Sequence, residues 1–428
     1  MADTDLLDYA GIRYYDGKIK QFIDGAYVDQ TANETIGGTK TFSSSPLVPV
    51  PSDDSSQQAA PAVWVRDQLR ANVEALTSGR NTIVRDKRGN PHVMVVIPKF
   101  LLSDIDASWA AAPHPAFIVN GVARPEILIG KYLASQDANG KVQTLPGKAP
   151  WANINFDSSL AACRELGAGF CLDTNAMWSA RVLWDYKTLG GSHEYLGNTN
   201  WGRSHSKHWL TGVMQSGSYT PGDTSVATAG TLTGSGGPLW NDDETESGIA
   251  DLTGNVWEWV GGLRLDGGEI QIIPDNNASL ATSDMTASST EWKAILQDGT
   301  LVAPGTADTM KYDGSVADTK TSWQDAGQFR VNKEIINQND KGYYSIDCKS
   351  LTAYSGVTVP ALLTQLGLFP IGNDVQGYMW ACNKTERLPY RGGYWDDGGR
   401  CGPFALHLGY ARSRSARGLG FRAAFVAS

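Results

Sequence analysis

Gly248-Ile249-Ala250-Asp251-Leu252-Thr253-Gly254-Asn255-Val256-Trp257-Glu258-Trp259 is the stretch on which the fold turns. Gly254-Asn255 suits a tight turn. After it, Trp257 and Trp259 flank Glu258, a spacing that in a strand puts both indoles on one face and the carboxylate on the other. A turn leading into an aromatic strand is therefore expected. Two further stretches follow, Arg391-Gly392-Gly393-Tyr394-Trp395 and Gly420-Phe421-Arg422-Ala423-Ala424. Around them Phe404, Leu406 and Leu408 alternate, as do Phe421, Ala423 and Phe425, which predicts strands with one buried face.

The surrounding chain is that of a globular protein. Its 428 residues leave room for one large domain with an extension, or for two domains. The 47 glycines and 14 tryptophans point to many turns held by aromatic anchors rather than to a helical bundle. A formal net charge of −9 argues against nucleic acid as a partner, because neutralising phosphates needs a basic face. No apolar run is long enough to insert into a membrane, and the acidic start Met1-Ala2-Asp3-Thr4-Asp5 does not read as a signal peptide. Synthesis and folding in the cytoplasm are expected. The five cysteines, Cys163, Cys171, Cys348, Cys382 and Cys401, are odd in number and lack CxxC spacing, so buried free thiols are expected.

Along the chain, Thr31–Gln58 is rich in Thr, Ser, Gly and Pro, and a short helix is expected over Arg66–Val73. His92–Ile97 reads as a buried strand, and His114–Gly121 with Ile127–Tyr132 as two strands about a turn. From Ser158 to Lys187 apolar residues recur at spacings of three, a helical pattern. Between Leu263 and Asp374 the sequence is polar and aperiodic, and about 265–375 is expected to be insertions decorating a core.

Taken together, GNVWEW, RGGYW and GFR resemble the formylglycine-generating-enzyme-like branch of the C-type-lectin fold, with Tyr394 where that family has Ser. The resemblance implies an α+β domain over residues 86–428 with a twisted, mostly antiparallel sheet and long loops. Scaffold positions would be Trp257, Trp259, Arg391, Trp395, Phe404, Leu406, Leu408 and Phe421. It also implies a possible structural calcium near Asn255; no other cofactor is expected. In the oxidases of this fold two cysteines follow the RGG motif closely, whereas here only Cys401 does. His205 and His208 form the only close histidine pair, without a third ligand at suitable spacing. No catalytic residue is expected; an oxidase or sulfoxide synthase of the same fold is the alternative.

The tract from Tyr394 to Gly418 carries chemically unrelated residues between regular apolar ones. It resembles the variable proteins of diversity-generating retroelements, whose templates read like RGGNWNNGxNxGxFALNLNNARSNSNNNxGFR. Tyr394, Asp396, Asp397, Arg400, His407, Gly409, Tyr410, Arg414, Ala416, Arg417 and Gly418 fall where that template has asparagine. Adenine mutagenesis of AAC codons gives NNC codons, which cannot encode Lys, Glu, Gln, Met or Trp. From Tyr394 to Arg422 none of these occurs except Trp395, a framework position. The resemblance implies that the eleven residues form a ligand-binding surface, while Arg412, Ser413 and Ser415 support the backbone.

Finally, Glu34-Thr35-Ile36-Gly37-Gly38-Thr39-Lys40-Thr41-Phe42, Pro49-Val50-Pro51 and Ala59-Ala60 before Trp64-Val65 resemble a short module of phage tail-fibre proteins. This implies an attachment segment at 1–30, a tail-fibre-like module at 31–85, docking to a phage tail or fibre protein, and a homotrimer. The expected role is a phage or prophage tail-fibre tip adhesin on the virion, binding a bacterial surface protein or glycan. A host surface-displayed variable adhesin is the second binding role weighed.

Overall fold

A computed structural model describes residues 62–217 and 219–427. The segment at 1–30 and the tail-fibre-like motif up to Ala60 lie outside the described residues. The chain divides into one unit of Met1–Asn72 and a second of Val73–Ser428. A helix, Ala62–Leu76, crosses that division and is longer than its sequence suggests. Along it Val65, Leu69 and Leu76 are exposed apolar residues.

The boundary expected at 85/86 falls inside a hairpin. Strand Asn81–Arg85 pairs antiparallel with Pro91–Pro98, Ile83 opposite Val93, so these residues belong to the second unit. Few helices and many short strands make up that unit, an arrangement compatible with the α+β class. A five-stranded sheet runs in the order Asn81–Arg85, Pro91–Pro98, Glu126–Gly130, Ala423–Phe425, Phe170–Leu172. A six-stranded sheet follows the order Tyr344–Asp347, Tyr378–Ala381, Gly402–Leu408, Tyr390–Gly392, Trp257–Trp259, Leu419–Phe421. All three sequence motifs therefore lie in or beside this second sheet.

Local sequence explains where elements stop. The helical pattern over Ser158–Lys187 is two helices, Phe156–Arg164 and Asn175–Leu189, separated by strand Phe170–Leu172. Asn155 and Thr174 cap their N-termini by accepting from Ser158 N–H and Met177 N–H. At 114–123 the first expected strand is a 3₁₀ turn, Pro115–Phe117, followed by the two-residue strands Ile118–Val119 and Val122–Ala123.

The 265–375 region departs most from expectation. Rather than merely decorating a core, it contributes five strands that with Leu263–Asp266 make a six-stranded antiparallel sheet centred on Glu269–Ile272. Ile270, Ile295, Tyr312, Phe329 and Val331 bury their side chains in the main core.

Period-two alternation divides the interior. Phe404, Leu406 and Leu408 face one apolar cluster with Trp178, Met379 and Ile129. Ala405, Trp257, Trp259, Tyr390 and Phe421 face another with Leu128 and Phe170. Trp257 and Trp259 thus share a face and Glu258 points away from them. There Glu258 meets Arg422: Nε and Nη2 each donate to one carboxylate oxygen at 2.8 Å, with both side chains almost fully buried. The remaining donors go to Gly130 O at 2.9 Å, Lys131 O at 3.2 Å and Ala250 O at 3.0 Å. The first and third motifs are therefore two halves of one buried clasp.

Asp173 and Asp251 lie near this clasp. Burial, and then the Glu258 carboxylate, push Asp173 up to about 8, while burial pushes Asp251 up to about 6. A carboxyl raised in the native state holds a proton that the unfolded chain has released, so its contribution is lost as pH rises toward the native value. Burial lowers His92 and His114 to about 4 and His407 to about 3, which acts in the opposite sense but ends near the ordinary histidine value of 6.5. Stability is expected to fall between pH 6.5 and 8. Asp173→Asn should flatten that fall; urea midpoints at both pH values for the two proteins would check it, and equal slopes would count against it.

Candidate ligand-binding surface

Two loops of the motif-bearing sheet carry the tract, one joining Tyr390–Gly392 to Gly402–Leu408 and one joining Gly402–Leu408 to Leu419–Phe421. The first runs from Gly393 to Cys401, starting where the register between Tyr390–Gly392 and Gly402–Leu408 shifts. Its backbone is fastened to neighbours: Trp395 N–H donates to Asn255 O at 3.3 Å and Gly398 N–H to Thr199 O at 2.9 Å, while Trp395 O accepts from Trp201 N–H at 2.7 Å. Trp395 itself is 2% exposed, packed with Met214, Val226 and Ala229 and with its ring 4.6 Å from that of Trp201.

The second loop, 409–418, is tied down in the same way. Tyr410 O accepts from Leu388 N–H, Arg412 O from Phe156 N–H, Ala416 O from Asn153 N–H and Gly418 O from Trp257 N–H. Arg412 is clasped by Glu386, at 2.8 and 2.9 Å, and by Asp157 at 2.8 Å, a supporting role. The side chains of Ser413 and Ser415 are exposed.

Both backbones are thus held while side chains remain outside. Asp396, Arg400, Arg414 and Arg417 are exposed; Tyr394, Asp397, His407, Tyr410 and Ala416 are partly exposed. Gly409 and Gly418, expected on the surface, are buried. A neighbouring side chain covers each. A Cβ at 418 would lie 2.3 Å from Tyr394 Cδ2, and one at 409 would lie 2.6 Å from His407 Cε1.

These neighbours couple positions across the tract. Gly418→Ser is expected to destabilise the chain by about 1–3 kcal/mol, the cost of overpacking. In a Tyr394→Ala background most of that cost should vanish, because the obstructing ring is gone. A double-mutant cycle by urea unfolding checks this; strict additivity would mean that the two positions vary independently.

The displayed residues rest on a floor of rings. His407 stacks on Trp380 at 5.2 Å, Tyr390 at 4.6 Å and Tyr410 at 5.2 Å, with Trp257 edge-on at 5.8 Å. Arg414 lies over the Tyr410 ring at 4.5 Å and Arg400 over Tyr378 at 5.6 Å. Asp396 accepts from Trp201 Nε1–H at 2.9 Å and from the Tyr394 hydroxyl at 3.4 Å. Asp397 accepts from Tyr394 N–H at 3.2 Å, and burial raises it to about 7.

Residues from outside the tract complete this floor. Trp323, 41% exposed, comes from the 265–375 region and packs at 5.0 Å on both Tyr343 and Tyr410. Tyr378 and Trp380 are legible as an alternating pair on one strand face. Trp201 and Trp323 sit in irregular segments, where no periodicity marks them.

All five cysteines are free and buried, and burial pushes the Cys401 thiol well above its usual range, against thiolate chemistry. His205 Nδ1 is engaged by the Thr199 hydroxyl at 3.0 Å and His208 is exposed. Among the described residues no group of three or more His, Cys, Asp or Glu is arranged to hold a metal. Asn255, near which a calcium was expected, is fully buried. Its side-chain oxygen accepts from Thr231 N–H at 2.9 Å and its amide donates to Thr231 O at 3.1 Å, so the side chain is committed to the backbone opposite.

No family model matches the chain, and no curated protein matches it. Among solved structures it is similar to Treponema denticola variable protein 1, at a TM-score of 0.29 and 13% sequence identity, covering 81% of this chain and 98% of that one.

Proposed function

We propose that this chain is a non-catalytic binding protein of the C-type-lectin-like, formylglycine-generating-enzyme-like kind. On this proposal it is a phage or prophage tail-fibre tip adhesin whose Tyr394–Gly418 surface, diversified by a retroelement, recognises a bacterial surface molecule. One observation carries this. Nine of the eleven template-asparagine positions have side chains at least partly exposed, while the apolar residues among them, Trp395, Phe404, Leu406 and Leu408, are buried. Exposed substitutions usually change stability by less than about 0.5 kcal/mol, whereas truncating a core residue costs about 2–5 kcal/mol. Such a division lets the surface change while the fold survives.

Tyr and Arg, both common in the tract, are the residue types that most often dominate binding energy. A trimer accords with the exposed Val65, Leu69 and Leu76, which fall on one stripe of their helix. Several copies on one particle would raise a weak single-site affinity by about 10²–10⁴.

Deep sequencing of the gene and its flanks in a propagated population tests this. Variation confined to codons such as those of Tyr394, Asp396, His407, Tyr410 and Arg417, beside a near-repeat and a reverse transcriptase, is the expected result. An invariant tract without a template would remove the diversification.

A further inference from the structure

We propose that the surface in its present form takes an acidic polysaccharide, a polymer of uronic-acid or sulfated sugars. This rests on its being the ligand site.

Charge is distributed unevenly across it. Arg400, Arg414 and Arg417 are exposed, and none has a carboxylate within ion-pair distance among the described residues. The fourth arginine of the tract, Arg412, is consumed by Glu386 and Asp157. The two acids accept hydrogen bonds within the surface, while the three arginines make no ion pair among the described residues. Asp396 is held by Trp201 and Tyr394, and Asp397 is turned inward onto the Tyr394 backbone N–H. In a chain of net charge −9, the three exposed arginines thus outnumber the two aspartates of the same tract and leave it an excess of positive charge.

The geometry narrows what could answer it. Arg414 and Arg400 lie over the rings of Tyr410 and Tyr378, 4.5 and 5.6 Å from the ring centres, contacts that leave their N–H groups available. A guanidinium fork matches a carboxylate or sulfate with two parallel hydrogen bonds. Beside the arginines stand the partly exposed rings of Tyr394, His407 and Tyr410 and the exposed Trp323, whose open parts a sugar ring can meet with its C–H face at little entropic cost. None of these residues lines the three clefts found elsewhere among the described residues, and as exposed and partly exposed side chains of two loops they offer a platform. A platform suits an extended polymer lying across it, with acidic groups meeting the arginines and ring faces meeting the aromatics.

The test uses the full chain on surfaces coated with alginate, polygalacturonate, neutral dextran or polyglutamate, read by biolayer interferometry at low and high salt. Binding to the two uronates that weakens with salt, and none to dextran, is expected. The triple variant Arg400→Ala, Arg414→Ala, Arg417→Ala, checked for folding by circular dichroism, should bind them about tenfold or more weakly, as loss of one hot-spot arginine already implies. Trp323→Ala should also weaken binding, which a purely charge-driven contact would not show. Equal or tighter binding to polyglutamate would overturn the glycan in favour of an acidic peptide. Undiminished binding by the triple variant, or no uronate binding at low salt, would overturn the proposal outright. Templated variation in the population would still stand in those cases, which separates this failure from failure of the binding role itself.

Discussion

Arg422→Ala is expected to cost about 3–5 kcal/mol, the penalty for breaking a buried ion pair from one side. Five hydrogen bonds to Glu258, Gly130, Lys131 and Ala250 disappear at once. What remains is a buried carboxylate with Asp173 and Asp251 close by, three acids without their shared cation. Against a total stability of about 5–15 kcal/mol, that loss takes a large share. The double variant Glu258→Gln, Arg422→Met removes both charges and should recover much of it, since replacing a whole buried pair with apolar or neutral groups is often close to neutral. Urea unfolding of wild type, single and double variants checks both statements. A single variant within about 1 kcal/mol of wild type would mean that the clasp contributes little.

Trp259→Ala should cost a similar amount, about 3–5 kcal/mol, for a different reason. The indole is fully buried, its N–H donates to Ile154 O at 3.0 Å, and its ring meets Phe156 and Tyr390 edge-on at 5.8 and 5.1 Å. Alanine leaves a cavity directly behind Tyr390, the ring on which His407 stacks. Trp259→Phe keeps most of the packing and forfeits the hydrogen bond, so about 1–3 kcal/mol is expected. Near-ultraviolet circular dichroism with the unfolding curves would register both the stability loss and the disturbed ring stack. If alanine and phenylalanine were equally damaging, the hydrogen bond rather than the volume would be what matters.

These positions also mark how far the sequence could be read. The face pattern of Trp257-Glu258-Trp259 was legible because strand alternation is strict. That Glu258 finds Arg422, 164 positions away, was not, since spacing carries no information about a long-range partner. The 265–375 sheet escaped for another reason. Its strands are two to four residues long and bury polar groups: Glu269 is 5% exposed and accepts from Thr309 Oγ1 and Gly305 N–H, while Gln271 is 2% exposed and donates to Glu269. Buried polar residues satisfied by partners look like surface when read one at a time. The same blindness hid Trp323 from the surface that it borders. In the tract itself the alternation of Phe404, Leu406 and Leu408 was readable, but the burial of Gly409 and Gly418 depends on which side chains happen to stand at 407 and 394.

Strand Ala423–Phe425 lies between Glu126–Gly130 and Phe170–Leu172, and Leu419–Phe421 pairs with Trp257–Trp259. During synthesis the ribosome delivers both strands after the 394–418 loops. A frameshift or stop codon introduced there would leave a gap inside one sheet, a bare edge on the other, and no Arg422 for Glu258. Such products should be open to proteolysis. Errors in the loops' own coding segment are thus proofread by the architecture, and only in-frame versions go forward.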